Sequence, residues 1–276
     1  MPISEGGWPE VAAESIKRTI IVALGVCFVC SVLVSTAAVS LHPIQEENKR
    51  LDRIRNIFIA EGLPVRDVDL KAVYEATIQP RMIDLSTGAS IQGADLNRKL
   101  SIQGFDMRAM AADPEYGKQL PAEKDIAGIK RMPKYMVVYL AMQSGRMEQI
   151  ILPVYGKGLW STLYGFIALD KDLRTIHGIT FYEHAETPGL GGEIDNPRWK
   201  DIWKGKQAFD EKGTLRIEVI KGVVDTSRPE ARYQIDGLSG ATRTTQGVDA
   251  LVRFWLGSDG YGPFLKRLQE ELHGQV

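Results

Sequence analysis

From residue 19 to 41 the chain runs without a charged side chain. At about 1.5 Å per residue, a helix of that length reaches roughly 34 Å, enough to cross the hydrocarbon core of a bilayer. Residues 46–60 change to helical spacing, with Leu51, Ile54, Ile57 and Phe58 among charges, and Gly62 followed by Pro64 supplies a stop. Residues 65–133 are mixed and mostly polar, with weak strand and helix signals. From Tyr135 onward the apolar positions fall into short β segments. Segments 135–142 and 147–154 flank Gln143-Ser144-Gly145-Arg146, a hairpin signal. In 158–169, Trp160, Thr162, Tyr164 and Phe166 alternate with Ser161, Leu163, Gly165 and Ile167. After the turn Asp170-Lys171-Asp172, segments 175–182 and 214–220 read as further strands. Val248, Leu251, Val252 and Trp255 mark one face of a helix closed by Gly257, and 264–272 makes a last short helix. Runs of strands with helices at the ends predict an α+β domain behind a single N-terminal transmembrane helix, not a doubly wound dinucleotide fold. The organisation expected is a polar tail 1–18, a membrane helix 19–41, a connector helix with a mixed α/β region 42–133, and a domain core 134–276.

Charge and cysteine content narrow the picture. The 276-residue chain has a net charge of −1, which gives no global attraction to nucleic acid, so no nucleic-acid partner is expected. Both cysteines, Cys27 and Cys30, lie in the apolar stretch, which rules out an internal disulfide, a Cys-based zinc site or a complete iron–sulfur centre in the remainder. At i, i+3 the pair shares one helix face. It reads as two small hydrophobes in a membrane helix, with ligands of a cluster shared with another subunit as the alternative. Ala38-Val39-Ser40 resembles a signal-peptidase site, but the apolar run exceeds the usual ~7–15 residue signal core, so a retained anchor is expected. Lys17 and Arg18 precede the segment while Lys49, Arg50, Arg53 and Arg55 follow it, so charge alone does not orient it.

The richest chemistry lies in Asp236-Gly237-Leu238-Ser239-Gly240-Ala241-Thr242-Arg243-Thr244, just ahead of the amphipathic helix. Small residues before a helix start let a phosphate approach open N–H groups and the favourable dipole end. Thr242 adds a hydroxyl that can itself be esterified. On the residues alone, a helix-capping loop explains the same segment equally well. A second glycine-rich stretch, Glu186-Thr187-Pro188-Gly189-Leu190-Gly191-Gly192, follows a predicted strand. Pro188-Gly189 suits a type II turn, and the later glycines let backbone approach a flat ligand. It is no dinucleotide fingerprint, because Glu193-Ile194-Asp195-Asn196-Pro197 interrupts the helix that motif requires. Leu238-Ser239-Gly240 lacks the G-x-S-x-G frame, so a hydrolase triad would need His177, His184 or His273 brought in by the fold. His184 between Glu183 and Glu186 reads as a surface histidine beside carboxylates rather than a metal ligand.

Ser239-Gly240-Ala241-Thr242, preceded by Asp236, resembles the S-G-A-T motif of the FMN-binding domain family, in which the final threonine carries FMN through a phosphoester bond. Segments 156–161 and 165–168 and the 186–192 turn resemble the same domain. Glu193-Ile194-Asp195-Asn196-Pro197-Arg198-Trp199, the single anchor and the helix over 48–63 resemble the C-subunit family of bacterial Na⁺-translocating NADH:quinone reductases. The resemblance implies covalent FMN on Thr242, with Ser239, Gly240, Ala241 and Arg243 around the phosphate. Glu186, Thr187, Gly189, Leu190 and Gly191 would lie towards the ring, with Trp160 and Tyr164 as aromatic neighbours. It implies attachment by a flavin transferase: the Thr242 oxygen bonds the FMN phosphorus of FAD, the pyrophosphate bond breaks and AMP leaves. It further implies an electron carrier between NADH and ubiquinone in a Na⁺-exporting complex, without its own NADH or quinone site. The partners would be other membrane subunits, and the main domain would face the periplasm from the inner membrane. The G-type subunit of the related Rnf complex shares anchor and motif, and a non-redox anchored binding or assembly protein is the remaining alternative.

Overall fold

The computed structural model describes residues 16–62, 68–91, 100–102 and 104–274. The tail through residue 15, Pro64 and the side chain of His273 lie outside the described residues. The chain divides into two units, Met1–Arg50 and Leu51–Val276. In the first, α1 (Ile16–Glu61) contains Arg18–His42, 25 residues of mean hydropathy 2.6 that are long and apolar enough to cross a membrane. Its side chains make no internal core, so the segment is a candidate membrane anchor.

In the second unit, the last turns of α1 bury Ile54, Ile57 and Phe58 in the core, as their spacing requires. Gly62, at φ 75°, ends the helix. The remaining helices are α2 (Leu70–Thr77), α3 (Met107–Ala112), α4 (Pro197–Asp201), α5 (Thr242–Leu256) and α6 (Gly262–His273). The strands are β1 (Ile78–Asp84), β2 (Ser90–Ile91), β3 (Gly117–Gln119), β4 (Arg131–Pro133), β5 (Tyr135–Gln143), β6 (Arg146–Lys157), β7 (Thr162–Asp170), β8 (Ile176–Glu183), β9 (Glu218–Val219) and β10 (Gln234–Ile235). The main sheet is antiparallel in the order β2-β1-β5-β6-β7-β8. Its central strands are buried on both faces, from Met136 to Ala141 in β5 and from Ile150 to Gly156 in β6. The α+β expectation therefore holds. The weak-signal region before residue 134 supplies β1, which pairs with β5 over its whole length.

Two predicted strands differ from the structure for a local reason. Segment 158–169 forms a strand only from Thr162, because the N–H groups of Leu159, Trp160 and Ser161 turn to a carboxylate instead of a neighbouring strand. In 214–220 the N–H groups of Arg216 and Ile217 both donate to the Ala208 carbonyl, which bends the chain. Only Glu218–Val219 then pairs, in parallel with β10.

Helix α5 is drawn tightly onto β6 by two glycines. A Cβ at Gly156 would sit 2.5 Å from the Leu251 Cβ, and one at Gly247 would sit 2.4 Å from the Lys157 carbonyl oxygen. Farther along, Trp255 Nε1 donates to the Tyr155 carbonyl at 2.7 Å, and Tyr261 Oη to that of Pro153 at 2.6 Å. This close crossing sets the first turn of α5 beside the chain leaving β6. Replacing Gly247 with alanine removes a helix-weakening glycine, worth about 1 kcal/mol on its own. The clash with a strand carbonyl outweighs that gain, so Gly247→Ala is expected to destabilise the domain by about 1–3 kcal/mol in denaturant titration. An unchanged or raised midpoint would contradict the close packing.

Candidate functional site

The segment entering α5 is tied down at each step. The Asp236 carbonyl accepts from Trp199 Nε1 at 2.9 Å, and its carboxylate accepts from the Val224 N–H at 2.8 Å. Gly240 then takes φ 71°, and a Cβ there would meet Leu190 Cδ2 at 3.0 Å. Ala241 occupies the N-cap position of α5 without a side-chain cap. The hydroxyl of Thr245 accepts from the Leu238 N–H at 3.0 Å rather than closing the helix end. The capping reading thus loses its expected bond, and the first-turn N–H groups lack a side-chain acceptor in the cap position.

Glu186 lies at the centre of this region, 5% exposed. Its carboxylate accepts from the N–H groups of Leu159, Trp160 and Ser161 at 3.0–3.2 Å and from the Ser161 hydroxyl at 3.2 Å. The Thr244 hydroxyl donates to it at 2.6 Å from the first turn of α5. Burial pushes the Glu186 carboxyl up, but the bonds from Thr244, Trp160, Ser161 and Leu159 outweigh burial and hold it below the ordinary glutamate range. Glycines make room for this charge. A Cβ at Gly158 would approach the carboxylate to 2.6 Å, and one at Gly191 would reach 2.4 Å from the Thr244 hydroxyl.

The structure brings most of the predicted site residues to one end of the domain. The 186–192 turn has Gly189 at φ 75°, as a type II turn requires, and the Leu190 N–H closes it onto the Thr187 carbonyl at 3.1 Å. Leu190 and Gly191 then meet Gly240 and the Thr244 hydroxyl. Ser239, Gly240, Thr242, Arg243, Thr187 and Leu190 are exposed. Trp160 stands 68% exposed on the loop held by Glu186. Tyr164 differs, because its ring is engaged in packing: it stacks on Tyr155 with centroids 5.6 Å apart and carries the Arg108 guanidinium 3.8 Å from its centroid. Arg108 also pairs with Glu183. His184 Nε2 meets Asp195 at 2.7 Å while its Nδ1 accepts from the Glu186 N–H. His177 is bonded to Asp170, so neither histidine is held by a serine or threonine of the motif.

Thr244 and Ser161 are site residues that the sequence reading missed. Helical phase offered a signal for the first. Thr242 and Thr244 lie about 200° apart around α5, so when one faces solvent the other faces the core. Thr244 and Thr245 are buried and Thr242 is exposed. A cleft of about 180 Å³ opens beside Thr242, with Lys221, Gly237, Leu238, Thr245 and Gln246 in its wall. A larger hollow of about 650 Å³ lies against Leu256 and Gly257 at the other end of α5, and no predicted site residue lines it.

Residues 158–257 match the FMN-binding domain family. Over 93% of its length the chain is 47% identical to the C subunit of the Na(+)-translocating NADH-quinone reductase of Pseudomonas aeruginosa, covering 97% of that protein. The chain belongs to this C-subunit family. The corresponding protein of Yersinia pestis is 41% identical over 93% of the chain and 94% of its own length. The crystal structure of Shewanella oneidensis NqrC aligns with a TM-score of 0.72 at 34% identity, over 81% of this chain and 99% of that one. The matched FMN-binding region begins where β6 ends, and it contains Glu186, the 186–192 turn and the start of α5.

The ionised Glu186 stabilises the fold in a pH-dependent way. Because its pKa falls below the unfolded value of about 4.5, the contribution is complete at neutral pH and lost as the pH drops through the lower folded value. Glu186→Gln is expected to cost about 2–4 kcal/mol at pH 7. Denaturation measured from pH 7 down to pH 3 should show the gap between variant and wild type closing with acid. A gap independent of pH would refute the ionised clamp.

Proposed function

We propose that this chain carries FMN as a phosphoester on the Thr242 hydroxyl and acts as a redox subunit of a Na⁺-translocating NADH-quinone reductase. The observation that supports this most directly is the exposure pattern of the three clustered threonines. Thr244 is bonded to Glu186 and Thr245 to the Leu238 N–H, both buried, while Thr242 is exposed at the first position of α5. Of these three threonines, a transferase therefore meets one available hydroxyl.

The surroundings fit the phosphate end of FMN. Gly240 and Ala241 crowd it little, the uncapped N–H groups suit an anion, and the cleft of about 180 Å³ is small beside whole-ligand pockets of roughly 300–1,000 Å³. Ser239 and Arg243 flank the attachment point, and Leu190, Gly191, Thr187 and Trp160 border the surface beyond it. When bound, the isoalloxazine would supply the electron uptake and release. The chain contributes a fixed attachment point and a surface held by the Glu186 bonds, so that the group keeps one position relative to neighbouring subunits. NADH and quinone would be handled by those subunits. The near full-length similarity to C-subunit proteins favours this reading over an Rnf-type protein, and the FMN-binding match favours it over a non-redox assembly protein.

Mass spectrometry of protein made together with its flavin transferase should find the Thr242 peptide heavier by one FMN less one water. Thr242→Ala should abolish both that mass and the flavin fluorescence of the band on a denaturing gel. A fluorescent Thr242→Ala band would overturn the attachment. The same reading has residues 18–42 as a retained inner-membrane anchor with the domain in the periplasm. Protease added to spheroplasts should then degrade the domain, and protection until the membrane is lysed would reverse the orientation.

A further inference from the structure

We propose that Lys221 is the side chain that neutralises and positions the FMN phosphate at Thr242, a role that sequence adjacency would give to Arg243. The inference rests on the attachment at Thr242. A phosphodiester keeps one negative charge at neutral pH, so the site needs a cation held on the correct side of the ester. Arg243 follows Thr242 by about 100° around the helix and does not line the cleft that opens beside Thr242. Lys221 lines the same cleft as Thr242.

The backbone bearing Lys221 is fixed against the motif. The Ile220 N–H donates to the Ile235 carbonyl at 2.9 Å, and the Gly237 N–H to the Gly222 carbonyl at 2.8 Å, so bonds flank Lys221 on both sides. A Cβ at Gly237 would lie 2.4 Å from the Ile220 carbonyl oxygen, so only glycine allows the 220–222 segment to close this tightly on the chain leading to Thr242. The same segment is joined to α5 itself, because the Val219 N–H donates to the Asp249 carboxylate at 2.7 Å. The distance between the Lys221 backbone and the start of α5 is thus set by three connections.

Nearby acids do not compete for the ammonium. Glu218 accepts from Gln234, Asp225 pairs with Arg228 and Ser227, Asp236 accepts from Val224, and Asp249 accepts from Val219 and faces Arg253. Lys221 itself has no ion-pair partner among the described residues. Gln246, one turn after Thr242 and in the same cleft wall, presents an amide from the matching helix face. An ammonium suits this place, since it acts as a compact charge towards a single phosphate oxygen without needing a bidentate partner.

The test compares full-length protein made with and without the flavin transferase. Both forms receive a short pulse of acetic anhydride, and each lysine's acetylation is read by mass spectrometry. Lys221 should lose reactivity about tenfold in the loaded form, the size one charge-assisted hydrogen bond provides. Lys212 and Lys266, at the far end of α5, should label equally in both forms. In parallel, the initial rate of loading from FAD should fall in Lys221→Glu, be retained in Lys221→Arg, and change less in Arg243→Ala. Equal labelling of Lys221 in the loaded and unloaded forms overturns the assignment, even if Lys221→Glu loads slowly. Absence of an adduct on wild-type Thr242 would instead defeat the attachment reading itself.

Discussion

One buried carboxylate organises this end of the molecule. Glu186 holds three successive N–H groups of the chain leaving β6 and, through Thr244, the first turn of α5. Neither segment has another regular partner at that point, since the strand ladder ends at Lys157 and Thr162 and the helix is only beginning. Without the charge, these three amides would lose their acceptor, and the helix start and the Trp160 loop would lose their common reference. A neutral side chain of similar shape could accept fewer bonds, and for that reason the site needs an ion within a largely apolar fold.

The scaffold around this ion explains why it can be so local. A six-stranded antiparallel sheet with central strands buried on both faces gives a rigid floor. Two glycine contacts bring α5 close enough for its first turn to project past the end of β6. The Asp236 and Trp199 bonds then fix the incoming chain from the other side. Precision at the start of α5, the proposed attachment point, therefore derives from close backbone approaches and a few long-range bonds.

Much of this was legible in the sequence where the signal is local. The long apolar helix, the hairpin around Ser144-Gly145, the stop at Gly62 and the apolar face of α5 follow from spacing and turn chemistry. What stayed hidden depends on distant partners. Glu186 and Thr244 are 58 positions apart, and nothing near either residue announces the other. Alternation carried the predicted strand back to Gly158, because Trp160 keeps the period even though its N–H serves a carboxylate. In 214–220 the alternation is equally clean, but the Ala208 carbonyl captures two N–H groups and the ladder shrinks to Glu218–Val219. Tyr164 has the residue type of a flavin neighbour, yet its faces are taken by Tyr155 and Arg108.

The phase of α5 carries a consequence for the order of maturation. An unfolded chain displays Thr242, Thr244 and Thr245 as nearly equivalent hydroxyls within four residues of one another. After α5 docks on β6, two of them are withdrawn into hydrogen bonds and one is left outside. On the proposed attachment at Thr242, the address for modification would be written by folding, and the enzyme that reads it would act on a finished domain. Membrane passage and folding would then precede loading, and the flavin would be the last part to arrive.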